Sequence, residues 1–357
     1  MSIVATSHAK LGCRWPRGIS KLPSSPVKLI KTRLRARYAA RRPSIENASY
    51  DLFDPARIYQ WVAAIHRVRT AYTNGLNGRK PRLLRPHRFS EKMQWRKLFD
   101  LNPVYAVISD KLAVRDFIAD RVGAHVLVPV LWVGNDPDAV PLDTLDPPYV
   151  VKSTHGSGHF LLVRQRQDID ADAAVVKFKD WLAICYGTNT DEPGYLPVPR
   201  RLIVERMLLG AGGSPPLERK FFVFDGRVRF VQTIFADEAG LHHWAFQDRE
   251  WRPLDWYLET PNKPACPKPK RYEDMVAIAE CLGKDFDHLR VDIYDADDSI
   301  WVGELTLYSW SGLSRFTPDE ADELAGSHWV LQRPARRALK AILLRWRQIP
   351  NASPGVH

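Results

Sequence analysis

The sequence predicts an α+β protein in which a small antiparallel, strand-rich lobe and a larger mixed lobe enclose a cleft. Three observations carry that reading. Helical periodicity dominates from residue 46 to Gly123, short strands punctuated by Pro, Gly and Asp follow it, and the last third alternates long strands with a helix. The 357 residues are 45% hydrophobic and 26% charged, which suits two or three lobes around sizeable cores, and no internal repeat is present.

Residues 1–45 are rich in Pro, Ser and Arg and have little periodicity, so they read as a basic, flexible appendage. A helical region is expected over 46–122. Ile58, Trp61, Val62, Ile65 and Val68 recur at helical spacing, Ser90 stands as the N-cap of a helix to Phe99, and Ser109 as the cap of a helix over Asp110–Arg121 with Lys111 in its first turn. The small lobe is expected over 123–200, from strands near 126–133, 149–153 and 160–164 and a helix over 172–186. The strand 201–208 reads as the hinge that opens the larger lobe, 201–330. That lobe holds a hairpin turning at Asp225-Gly226, a helix over 272–283 and a strand pair over 289–309. A basic helix and tail, 331–357, end the chain.

The formal charge of +11 is unevenly placed. Eleven Lys and Arg residues precede the first acid, Glu46, and six follow the last, Glu323, which leaves a mildly acidic body of 35 basic and 41 acidic residues. The basic ends suit peripheral contact with an anionic membrane or a polyanionic polymer, and no specific nucleic-acid partner is expected. No stretch approaches the roughly 20 apolar residues of a membrane span, and no secretory signal pattern follows the first basic residues, so a cytoplasmic location is expected, with contact at the inner membrane face through the termini. Cys13, Cys185, Cys266 and Cys281 lack paired spacing and read as reduced thiols.

Two constellations suggest chemistry. Val150-Val151-Lys152-Ser153-Thr154-His155-Gly156-Ser157-Gly158-His159-Phe160 places a lysine at a strand end before a small-residue loop, where glycines admit backbone N–H groups to phosphate oxygens and the lysine adds charge. The loop leads into a strand and is therefore no Walker A motif. Asp292 and Glu304 face each other across the predicted final hairpin, among apolar neighbours where carboxylates need a cation or metal. Together they suit a hard-oxygen Mg²⁺ site, and without metal two such charges are expected to repel. Glu218-Arg219-Lys220 opens an apolar strand, and Val204–Leu208 runs towards a glycine-rich loop.

The stretches FSEKMQWRKLFDLNPVYAVISDKLAVRDFI, YVVKSTHGSGHF, ERKFFVFDGRVRFVQ and RVDIYDADDSIWVGELTLYSWSGLSRFTPDEAD resemble the TupA-like ATP-grasp family of teichuronopeptide and surface-polysaccharide biosynthesis, over roughly residues 50–330. The resemblance implies an ATP-grasp fold around a nucleotide cleft, with ATP and Mg²⁺ as cofactors. It also implies a ligase that joins a carboxylate to an amine or similar acceptor through an acyl phosphate. Lys111 and Lys152 would contact phosphates, under the loop of Ser153, His155, Gly156, Ser157 and Gly158. Glu205, Met207 and Leu208 would line the adenine and ribose pocket, with Glu218 near the ribose. Lys220 and Arg290 would stand at the transferring phosphoryl group, and Asp292, Glu304 and Thr306 would hold the metal. Three departures stand out: Thr306 replaces a usual Asn, His159 a usual second glycine, and Glu218 a usual Asp. Two alternatives remain. One is a glycosyltransferase using Asp292 and the acids between Asp295 and Asp298, and the other is a non-catalytic nucleotide- or polyanion-binding protein.

Overall fold

A computed structural model describes residues 55–100, 102–210, 213, 216–236, 242–258, 267–296 and 299–339. The basic appendage, most of the basic tail and part of the turn after Asp295 lie outside the described residues. In chain order the principal helices are α1 (Pro55–Gly75), α2 (Phe89–Phe99), α3 (Val104–Ser109), α4 (Ala113–Val122), α5 (Ala171–Ala183), α6 (Tyr272–Gly283) and α7 (Glu320–Ser327). The strands are β1 (Val130–Gly134), β2 (Tyr149–Ser153), β3 (Phe160–Val163), β4 (Leu202–Arg206), β5 (Glu218–Phe224), β6 (Arg227–Ala236), β7 (His242–Asp248), β8 (Pro253–Leu254), β9 (Tyr257–Leu258), β10 (Leu289–Ala296), β11 (Ser299–Thr306) and β12 (Phe316–Thr317). Residues 63–341 form one compact unit.

Two antiparallel sheets organise that unit. The smaller has the order β1-β4-β2-β3. Its inner face packs Tyr149, Val151, Val163, Leu202 and Val204 against Ala174, Phe178 and Trp181 of α5. Asp170 starts that helix, accepting the Ala173 N–H at 3.0 Å. The strand read from sequence as a hinge is therefore an inner strand of this sheet. Leu202, Ile203 and Val204 are all fully buried, as a central strand covered on both faces requires.

The larger sheet has the order β11-β10-β5-β6-β7-β8. On one face Phe221 stacks on Tyr272 of α6, and that helix comes so close that a Cβ at Gly283 would meet Val223 Cγ1 at 2.4 Å. On the other face Phe222, Phe224, Phe230 and His288 join Phe89, Trp310 and Trp329 in one aromatic cluster. The β5–β6 hairpin turns at Asp225 (φ 47°) and Gly226 (φ 75°), the paired positive values of a type I′ turn.

Two expected helix starts differ. Ser90 lies inside α2, and its backbone N–H and its hydroxyl both donate to Asp322. Ser109 ends α3, and Asp110 instead accepts the Leu112 N–H at 2.9 Å. Lys111 thus sits in a turn before α4 rather than within it.

Candidate functional site

Lys152 closes β2 on the face of the small sheet opposite α5. Its Nζ donates to Glu205 Oε2 at 2.8 Å, while Arg115 Nη1 of α4 donates to Glu205 Oε1 at 3.0 Å. The pairing of Val150 with Glu205 and of Lys152 with Ile203 makes Lys152 and Glu205 diagonal neighbours on one face, which is why their heads meet. The loop beyond Lys152 is fixed at its base and open at its tip. Ser153, Thr154, His155 and Gly156 are buried, Ser157 and Gly158 exposed, and Gly158 takes φ +76°.

The loop histidines hold that base. The His155 Nε2–H donates to the Trp181 carbonyl at 3.0 Å, and His159 Nδ1 meets Ser153 Oγ at 2.9 Å with its ring stacked on Trp181. Burial lowers the pKa of both rings below the ordinary histidine value. The His155 side chain, expected at the phosphates, is therefore turned into the core, with the residue 2% exposed and its ring bonded to the Trp181 carbonyl of α5.

At the large sheet the register pairs Asp292 with Glu304 on one side and with Lys220 on the other. Arg290 grips Asp292 bidentately, Nε to Oδ1 and Nη2 to Oδ2 at 2.7 Å each, and Lys220 Nζ adds a contact to Oδ2 at 3.1 Å. Lys220 also pairs with Glu218 at 2.8 Å, and the Tyr294 hydroxyl donates to the other Glu218 oxygen at 2.9 Å. Glu304 faces Lys111 at 3.3 Å and Arg290 at 3.8 Å. Burial alone would raise its carboxyl, but Lys111, Arg290 and Lys220 outweigh burial and hold it at about 2. The expected repulsion between the two acids is offset in this arrangement by cations around both, Arg290 and Lys220 at Asp292 and Lys111 with the shared Arg290 at Glu304. The Thr306 Oγ1 is buried and has no hydrogen-bond partner among the described residues.

Lys111 ties the two sheets together. Its Nζ donates to the Gly156 carbonyl at 2.6 Å and to Glu304 Oε1 at 3.3 Å, and its backbone N–H donates to the Thr154 carbonyl at 3.1 Å. Loop, lysine and acids thus meet at one place, as a site handling a polyphosphate and its counter-ions would require.

The family profile described as TupA-like ATPgrasp matches residues 91–330, which include every residue of this cluster. The chain belongs to the TupA-like ATP-grasp family. It is accordingly an ATP-grasp protein, a class of ATP-dependent ligases, and the two sheets are the lobes of that α+β fold.

Solved structures similar to this ATP-grasp chain include a D-alanine–D-alanine ligase from Bacillus anthracis, at 16% identity over 68% of this chain and 70% of that one, TM-score 0.36. The ATP-grasp ligase PsnB complexed with a minimal precursor is similar at 14% identity over 70% of this chain and 63% of that one, TM-score 0.37. An L-amino acid ligase from Bacillus licheniformis is similar at 15% identity over 56% and 42%, TM-score 0.35. Likenesses this distant say nothing about this chain's substrates. No curated protein is significantly similar to it.

Of the residues expected at the ATP-grasp site, Lys111, Gly156, Lys220, Glu218, Arg290, Asp292 and Glu304 form one connected polar network, and Lys152 and Glu205 a second. Met207 is buried at the end of β4, where its N–H donates to the Pro148 carbonyl at 3.1 Å, and Leu208 follows it. Sequence reasoning missed Arg115, whose only signal was its spacing of four from Lys111. It also missed Tyr186, Tyr195 and Tyr308, whose rings pack in series beside the loop and Glu304. Burial and the nearby Glu304 and Glu192 carboxylates raise the Tyr195 phenol.

Proposed function

We propose that this chain is an ATP-dependent ligase that transfers the γ-phosphoryl group of ATP to a carboxylate, releasing ADP, and passes the acyl group from that acyl phosphate to an amine or similar nucleophile with loss of phosphate, in surface-polysaccharide or peptide-polysaccharide biosynthesis at the cytoplasmic face. The observation that supports this best is the placement of Lys111 between the Gly156 carbonyl and Glu304, which gathers the glycine loop and the acids around one cation. No helix among the described residues is long and apolar enough to cross a membrane.

In this reading Lys152 and Lys111 meet nucleotide phosphates, and the loop from Ser153 to Gly158 closes over them through its exposed tip, Ser157 and Gly158, while its buried base holds the tip in place. Glu205, Met207 and Leu208 border the adenine and ribose, and Glu218 stands near the ribose. Arg290 and Lys220 move from Asp292 and Glu218 towards the phosphoryl group as it passes to the substrate carboxylate, which makes them the catalytic cations. Positioning does most of the remaining work, because the activated acyl group needs only an oriented amine.

The donor set fits Mg²⁺. Among the described residues no three His, Cys, Asp or Glu side chains converge on one point. Mg²⁺, however, commonly uses one or two carboxylates and completes its shell with water and substrate phosphate. Glu304, held ionised, and the partnerless Thr306 hydroxyl lie two residues apart on one strand face, and Asp292 would join them on releasing Arg290 and Lys220. Bound there, Mg²⁺ would neutralise charge on the phosphoryl group in transfer.

Calorimetric titration with Mg·ATP tests the reading, followed by ADP release against uronic acids, amino acids and amino sugars. ATP binding and acid-dependent ADP release are expected. A protein that binds no ATP with Mg²⁺ present would contradict the assignment.

A further inference from the structure

A guanidinium holds the carboxylate oxygen of Glu205 that Lys152 does not. Arg115 Nη1 donates to Glu205 Oε1 at 3.0 Å, and its Nη2 donates to the Val128 carbonyl at 2.7 Å, just ahead of β1. Glu205 Oε2 accepts from Lys152 Nζ at 2.8 Å. The side chains of Arg115 and Glu205 are only 19% and 11% exposed, whereas that of Lys152 is 29% exposed. One carboxylate thus serves two cations, one on each oxygen, and the trio keeps a net charge of one positive unit.

Without Arg115, Glu205 and Lys152 would form a self-neutralising pair on a partly buried surface, and the lysine would present no net charge to an anion. With it, the guanidinium balances the carboxylate from behind, the carboxylate still aims the ammonium, and the charge of Lys152 stays uncompensated. The second anchor, to Val128, fixes the guanidinium to backbone and so holds the trio in place.

We infer that Arg115 is a positioning residue that keeps Lys152 cationic in effect and aimed at the nucleotide, acting only through Glu205. This rests on the reading of Lys152 as a phosphate contact.

Titration calorimetry of Mg·ATP into the full-length chain tests it with Arg115→Met, Arg115→Lys, Glu205→Gln, the double variant Arg115→Met/Glu205→Gln, and Lys152→Met. Arg115→Met is expected to weaken ATP binding about tenfold, because it leaves Glu205 without its second cation. Arg115→Lys should stay within about threefold of wild type, since the charge that matters is retained. Added to Glu205→Gln, in which any loss at the adenine is already counted, Arg115→Met should change ATP affinity by less than about twofold, because no carboxylate is left for Arg115 to balance. A purely structural Arg115 would give additive losses instead.

If Arg115→Met fails to show a cooperative melt, Arg115→Gln, which keeps a donor for Val128, takes its place in the same comparison. Wild-type affinity in Arg115→Met, equal losses in Met and Lys, or a full tenfold loss when Arg115→Met is added to Glu205→Gln would each overturn the inference. If Lys152→Met weakens ATP while the Arg115 variants do not, only this inference fails. If Lys152→Met also binds as wild type, the phosphate role of Lys152 falls with it.

Discussion

At the small sheet two cations, Lys152 and Arg115, share the single carboxylate Glu205, whereas at the large sheet three cations, Lys111, Lys220 and Arg290, meet three carboxylates, Glu218, Asp292 and Glu304. The first group keeps a positive charge for an anion. The second is neutral in sum, so any ligand that binds there must exchange partners with side chains already paired. An excess of charge suits capture of a polyphosphate, and a balanced set suits a place where metal, phosphate and substrate displace internal contacts.

Removing Asp292 should break the balanced group most severely. Its side chain is 1% exposed and is the close counter-charge of Arg290, so Asp292→Asn leaves that poorly solvated guanidinium with only the distant Glu304 at 3.8 Å, while Lys220 keeps Glu218 at 2.8 Å. A loss of about 3 kcal/mol in thermal or urea unfolding is expected. The sequence alone predicted relief of repulsion instead, and an Asp292→Asn variant that melts as high as wild type or higher would restore that view.

Glu304 is 31% exposed and only loosely held, at 3.3 and 3.8 Å, so Glu304→Gln should cost about 1 kcal/mol. The cost carries a pH signature. Its folded value lies near 2, below its ordinary 4.5, so the contribution is complete above about pH 4.5 and disappears as pH falls towards 2. Melts of wild type and Glu304→Gln should converge on acidification, and a gap that stays constant from pH 7 to pH 2.5 would break the electrostatic assignment.

Smaller still is the expected stability change for Lys152→Met, within about 0.5 kcal/mol. The lysine is the most exposed of its trio, and Arg115 continues to satisfy Glu205 without it.

That the two last strands pair was legible from their alternation and one turn signal, but the turn alone would set Gly303 opposite Asp292, and a one-residue register shift between Asp292 and Ile293 brings Glu304 there instead. The partners of those acids were not legible. Lys220 stands beside Asp292 through sheet order, which spacing along one chain does not encode, and Arg290, two residues away on the same face of β10, grips it through its rotamer. β4 was misplaced because a fully buried strand carries no alternation to show which sheet it joins. The start of α4 was misread because Ser109 and Asp110 are both good caps, and only packing of α3 decides between them. Arg115 looked like any solvated helix charge until the fold brought Glu205 to it.

The division of labour between the two groups is tested most directly by measuring ATP affinity with and without Mg²⁺ in wild type, Lys152→Met and Glu304→Gln. Lys152→Met should weaken ATP by a similar factor in both conditions, because a phosphate cation is lost whether or not metal is present. Glu304→Gln should leave metal-free affinity near wild type and abolish most of the gain that Mg²⁺ brings. Two variants that respond alike to Mg²⁺, or a Glu304→Gln protein that keeps the full metal-dependent gain, would contradict it.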